Sequence, residues 1–377
     1  MQSSKSYFPC VWARKMGDRW IATVGMKLEA LLAADLLNNR NSEPPGKSDG
    51  RTTQSMTEPY TLLVQNLIAW GSNTYAELHW TSWPKLDSPT QGRLDITLTL
   101  NCRADSEARA KDEVLAHFLP FQGLLFSHLP WALFAPINEM AFLQECLTPF
   151  VARHSFAFAR RNQPLSLSLP LQISAPAIGF LPSGERKERG PMQGNWVEHL
   201  FPWVSSNDPL HRFVDFLLWY PEPVNLSVRL QAYSSPEHEK AALLNGIQRC
   251  HEILEGPGRT GETILANQAT LFRDFLLERM ADLSRGMVSL STYLSSRGAM
   301  DETLIQNVAQ SFLSIPVERE PGSLFKGGAK FFPVSPEKAG DSDFLQEDRA
   351  FSICESACFF RVPSPSLEDI QGIPIKR

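Results

Sequence analysis

Along this chain the spacing of apolar positions switches repeatedly from a two-residue alternation to a helical stripe. Residues 224–254 show it best. Leu226, Val228 and Leu230 alternate with Ser227 and Arg229, the period of a strand with one buried face. After Ser234-Ser235, Pro236 suits a first helical position, where its missing N–H costs nothing. Glu237 and Glu239 suit the positive end of the helix dipole. Leu243, Leu244, Ile247 and Leu254 then line one side of the predicted helix, with His251 among them. The same order recurs from Leu94–Leu100 into Asp105-Ser106 and a helix from Glu107. It recurs again from Val288–Leu294 into Asp301 and a helix from Glu302. Repeated strand–cap–helix units predict an α/β (α+β) protein of two layered domains. Returning strands favour mixed or antiparallel sheets, with helices mainly on one face.

Between these units the pattern predicts strands near Tyr7–Trp12, Tyr60–Trp70, Tyr75–Trp83, His154–Arg160, Leu165–Ile173, Trp196–Trp203 and Lys330–Val334. It predicts helices over Lys27–Leu37, Pro136–Cys146, Asp208–Leu218 and Glu262–Leu283. Two polar, Pro/Gly-containing stretches, 39–58 and 182–195, read as loops. The boundaries that follow are 1–58 (strand, helix and linker), 59–181 (first α/β domain), 182–195 (loop), 196–330 (second α/β domain) and 331–377 (a strand and an extended tail). A length of 377 residues fits two or three domains.

Residues 114–138 carry no Asp, Glu, Lys or Arg and are long enough to cross a bilayer. Pro120, Pro130 and Pro136, with His117, Gln122 and His128, argue instead for a buried helix, loop and strand. The reading is a cytoplasmic protein without a membrane span, and a membrane-associated scaffold is the weaker alternative. A net charge of −5 gives no global attraction to nucleic acid. The six cysteines form no C-x-x-C pair, and the eight histidines have no metal-ligand spacing, so packed thiols and no metal are expected.

No catalytic or cofactor-binding residue is assigned from the motifs. Gly256-Pro-Gly-Arg-Thr-Gly261-Glu262-Thr263 follows the phosphate-loop pattern except that Glu262 stands where a lysine must neutralise phosphate, and the loop follows a helix rather than a strand. The run Glu185–Arg189 alternates in sign and reads as a solvated loop. Arg160-Arg161 is the best local basic cluster and a candidate nucleic-acid contact. Serines lack a nucleophile elbow. An independent enzyme would need another pocket, such as one formed by His117, His128 and Glu139.

One segment carries a resemblance. Ser352–Pro363 (SICESACFFRVP), followed by Pro365 and Gly372-Ile373-Pro374, resembles a stretch in HerA/FtsK-class ATP-binding proteins and conjugation-type ATPases. There, E-A-A-x-x-F-R-L-P-x-P … G-I joins an N-terminal α/β region to a RecA-like motor. Glu355, Ala357, Phe360, Arg361, Pro363 and Pro365 stand at matching positions, with Val362 for the usual Leu and Ser356 for one Ala. Pro136-Ile-Asn-Glu, Leu147–Phe150 and Arg160-Arg161 are similar to other stretches of that region. The units at 223–255 and 286–315 are similar to its pair of strand–helix repeats. The family's phosphate loop comes after the F-R-L-P segment, about where this sequence stops. The resemblance therefore implies the pre-motor region alone: a homo-oligomerising assembly or regulatory module of a DNA-translocating ATPase. It would have no cofactor and no ATP hydrolysis of its own, and its partner would be a motor subunit in another chain. Arg160, Arg161, Glu355, Phe360, Arg361 and Pro363 are the expected interaction residues.

Overall fold

Three central strands carry the alternation furthest. In β3 (Thr74–Trp83), β4 (Arg93–Ala104) and β9 (Val224–Ala232) every second residue enters one hydrophobic core: Ala76, Leu78 and Trp80; Leu94 to Cys102; and Val224 to Leu230. The computed structural model describes residues 8–33, 58–84, 92–160, 162–166, 196–200, 203, 205–206, 210–233, 236–255, 263–314, 329–335, 350–364 and 372–376. Its main sheet has 11 strands in the order β1-β2-β4-β3-β9-β10-β6-β11, with β5 and β13 also pairing β2 and β12 pairing β10. Here β1 is Trp12–Met16, β2 Arg19–Leu32, β5 Ala132–Pro136, β6 His154–Arg160, β10 Met287–Ser296, β11 Ala329–Val334, β12 Ala350–Ser352 and β13 Ile375–Lys376. Every pairing is antiparallel except that of β13 with β2. β7 (Asn162–Ser166) and β8 (Trp196–Leu200) form a separate two-stranded ribbon. The α/β class and the antiparallel sheet agree with the sequence pattern. Strands from 59–181 and 196–330 interleave in that sheet, β3 beside β9 and β6 beside β10.

Eight helices are described. They are α1 (Glu58–Ile68), α2 (Glu107–His128), α3 (Met140–Leu147), α4 (His211–Trp219), α5 (Pro236–Glu255), α6 (Thr263–Arg285), α7 (Glu302–Phe312) and α8 (Ile353–Ser356). Residues of α1, α2, α4, α7 and α8 share the main core with the apolar sheet face. The predicted caps are used: Arg109 N–H donates to Ser106 Oγ and Leu304 N–H to Asp301 Oδ1. Rings of different elements meet in the core. Trp80 lies 5.4 Å from Phe213 and 6.1 Å from Phe312, and Phe312 stacks on Phe359 at 5.1 Å. α5 and α6 form a hairpin with a small core of its own, built around Leu243, Cys250, Ala269 and Leu276.

Several expected elements are corrected. The helix expected from Lys27 is the end of strand β2. A bulge between Leu28 and Ala30 shifts the register there, so buried Leu28, Ala30 and Leu31 depart from the strict alternation of a half-buried strand. Conversely, Tyr60–Trp70 is helix α1 as far as Ile68 and then a turn, and the buried Tyr60, Leu63, Val64 and Leu67 have helical spacing. The strand expected at Tyr7–Trp12 begins only at Trp12. The uncharged segment is the expected helix, loop and strand, but Pro120 does not interrupt α2, because it faces solvent there. The helix expected from Pro136 starts at Met140, after Pro136 has closed β5. The loops expected at 39–57 and 182–195, the stretch Gly256–Glu262, Arg161 and Pro365 lie outside the described residues. Among the described residues, no helix is long and apolar enough to cross a membrane.

Gly286 joins α6 to β10 with φ 111°, a conformation that side chains other than hydrogen rarely adopt. A Cβ there would also lie 3.0 Å from Ile68 Cδ1. Gly286→Ala is expected to destabilise the fold by about 1–3 kcal/mol, read as a lower urea midpoint.

Candidate functional site

Two polar constructions stand out in a protein built this way. The first contains the residues of the family-like segment. At the end of β12, Ser352 caps α8 in a reciprocal box: Glu355 N–H donates to Ser352 Oγ (3.2 Å), and Ser352 N–H donates to Glu355 Oε2 (2.8 Å). Arg279 of α6 donates to the same Oε2 at 2.6 Å, and Trp203 N–H donates to Oε1 at 3.3 Å. Arg279 and Glu355 are both buried. Six residues later, Arg361 Nη1 donates to the Ser206 carbonyl (2.8 Å) and Nη2 to the Ser311 carbonyl (2.6 Å). Its guanidinium lies 5.6 Å from the Phe312 ring centroid. Tyr60 Oη of α1 donates to the Val362 carbonyl at 2.8 Å. Phe359 and Phe360 are sealed in the core, and Pro363 is buried.

Of the expected interaction residues, Glu355, Phe360, Arg361 and Pro363 thus come together. Their contacts lie within the chain, where they fasten the C-terminal segment to α1, α6, α7, Trp203 and Ser206. Arg160 ends β6 opposite Ala329. The alternative trio is dispersed. His117 stacks on Trp70 (5.1 Å), and His128 Nε2 lies 3.3 Å from Asn66 Nδ2. Eleven residues of helix separate the two histidines by about 16 Å. Glu139 is exposed at the start of α3. Among the described residues no group of three or more His, Cys, Asp and Glu is placed to hold a metal ion.

The second construction is the other face of the sheet. Opposite the core, β2, β4, β3, β9 and β10 present Thr23, Asn101, Thr99, Thr97, Tyr75, Glu77, His79, Arg229, Gln231 and Ser291, all buried. Register sets the pairs: Thr99 faces Glu77, Glu77 faces Arg229, and Arg229 faces Ser291. Arg229 Nε donates to Glu77 Oε1, and His79 Nε2 lies 3.5 Å from Glu77 Oε2. Burial alone would raise the carboxyl pKa of Glu77. The Arg229 guanidinium and His79 outweigh that and hold it well below the usual carboxylate range. Arg229 is correspondingly raised: its burial opposes the charge, and Glu77 more than restores it. Near the start of β4, Lys27 Nζ and Arg93 Nε bond the two oxygens of Asp95 at 2.7 and 2.8 Å. α3 covers this end of the face, with Leu143 and Ile137 over Gly25, and the Cys146 thiol is pushed up to about 12, chiefly by burial. The sequence signal for this face was the polar half of the alternation in YAELHWTSW, LDITLTLNCR and NLSVRLQA, which ordinarily marks a solvated side.

No protein-family model matches the chain, and no curated protein is similar to it.

Proposed function

We propose that the chain is a non-catalytic assembly or regulatory module of a HerA/FtsK-like DNA-translocating ATPase system, presenting docking surfaces to a motor carried by another polypeptide. The support is the resemblance at 352–363 together with how this chain uses those residues. The Glu and Arg that carry the pattern are the two charged groups of the segment, and they pin it to α6, α7 and the backbone of Trp203 and Ser206. A segment tied down by a buried ion pair and an arginine clasped by two carbonyls is suited to hold an attached or docked unit at a fixed orientation. The phosphate-loop lookalike carries Glu262 in place of lysine, and a carboxylate there repels a nucleotide.

Light scattering coupled to size exclusion, on the chain alone and mixed with an ATPase encoded beside it, tests the reading. The expected result is an oligomer or a stable complex, with ATP turnover only when the second polypeptide is present. A monomer that ignores the ATPase, or ATP turnover by the chain itself, overturns it.

A further inference from the structure

Past its charged first turns, α2 turns an apolar face to solvent. Its inner residues Ala110, Val114, Phe118, Phe121 and Leu125 are buried in the main core. On the solvent side Leu115 is 42% exposed, Leu119 71% and Phe126 46%. From Leu115 to His128 no Asp, Glu, Lys or Arg interrupts this side. Leu115, Leu119, Gln122 and Phe126 are spaced by 4, 3 and 4 residues, the seam of two helices packed side by side. Beside the seam lie Ala116 and Gly123, both exposed, and a Cβ on Gly123 would meet nothing within 4 Å. A glycine inside a helix weakens it relative to alanine, and no contact within this chain requires one there. An exposed apolar seam and a glycine that the fold itself does not need both point to a second helix lying against this one.

We propose that this face binds a second copy of the chain, α2 against α2, antiparallel about a two-fold axis. The occupant follows from the spacing, which reads the same from either end. An axis midway between Leu119 and Gln122 sets Leu115 opposite the partner's Phe126, and Leu119 opposite the partner's Gln122. It also brings Gly123 beside the partner's Ala116, about 3 Å apart along the helix, so the two backbones approach closely there. With no charged residue on this stretch, no like charges meet across the axis. The 14 residues from Leu115 to His128 span about 21 Å, and a face about 10 Å wide covers a few hundred Å² on each copy. That is the small end of specific interfaces, so the dimer is reversible, with a Kd of about 10–100 μM. The inference rests on the exposed seam and not on the assembly reading.

Sedimentation equilibrium of the full chain, from about 1 to about 200 μM, tests this. Leu119→Glu puts a carboxylate at the centre of the seam without disturbing the core, because Leu119 is exposed. The expected result is a monomer–dimer equilibrium in wild type and a Kd raised more than about thirtyfold in Leu119→Glu, with the melting temperature of dilute protein unchanged. Leu119→Lys should behave alike. Mixing the Glu and Lys variants should restore a one-to-one dimer, which only the pairing of this face with itself allows. Gly123→Ala should weaken the dimer while keeping or raising the melting temperature. A wild-type monomer across the whole range overturns the proposal, and so does a mixture that fails to recover the dimer. A dimer that both charged variants retain overturns it too, but leaves the assembly reading standing through another surface. Binding to phosphatidylcholine vesicles or to the neighbouring ATPase, lost in Leu119→Glu and with no dimer formed, assigns the face to that partner and overturns the proposal.

Discussion

Glu355→Ala is expected to cost about 3–5 kcal/mol of folding stability, because it breaks the buried ion pair with Arg279. The cap of α8 goes with it, as do the acceptors of the Ser352 and Trp203 amides. Against a typical total of about 5–15 kcal/mol, a loss of this size leaves the chain close to unfolding at ordinary temperatures. Urea titration followed by fluorescence measures it, since Trp203 sits 4.7 Å from Phe351 and 4.9 Å from Phe359. The double variant Glu355→Leu/Arg279→Met should recover part of the loss, because both members of the buried pair are then removed together, although the two amides still lack their acceptor. A single variant within 1 kcal/mol of wild type, or a double variant no better than the single, would sink this account.

The second large effect belongs to Glu77. Glu77→Gln removes the counter-charge of buried Arg229, and a loss of about 3–5 kcal/mol is expected at neutral pH. The pH dependence gives an independent test. The Glu77 pKa in the folded chain lies below its ordinary value of 4.5, because Arg229 and His79 outweigh the effect of burial. Between the two values the unfolded chain binds the extra proton. The contribution is therefore fully present above the ordinary carboxylate pKa and is lost as pH falls toward the folded one. Urea midpoints between pH 7 and pH 3 should accordingly fall less steeply in Glu77→Gln than in wild type. Parallel curves would show that Glu77 is not the group responsible.

Much of the sheet was legible because alternation is a local signal. The three repeated units appear where the pattern put them, down to the caps at Ser106 and Asp301. The failures share one cause. The end of β2 reads as helical because a bulge at Leu28–Ala30 breaks its alternation, and α1 reads as a strand because Tyr60, Leu63 and Val64 sit among other apolar residues. Tertiary contacts alone settled both. The candidate residues fared differently. Glu355 and Arg361 were visible as a motif, but their partners Arg279, Ser206 and Ser311 lie 50 to 155 residues away. The buried polar face was not visible as a unit. Thr99, Glu77 and Arg229 come from three strands, and only the register of the sheet brings them together.

The place of β9 next to β3 bears on how this chain is made. Residues 75–82 must wait for 224–231 before their edge is covered, and β6 must wait for β10. Growing at about 5–20 residues per second, a nascent chain would carry the open side of β3 for about ten seconds or longer. Exposed strand edges invite pairing with other chains. Synthesis halted between residues 104 and 224 should therefore yield aggregates rather than a folded half, and chaperone contact should be heaviest in that interval.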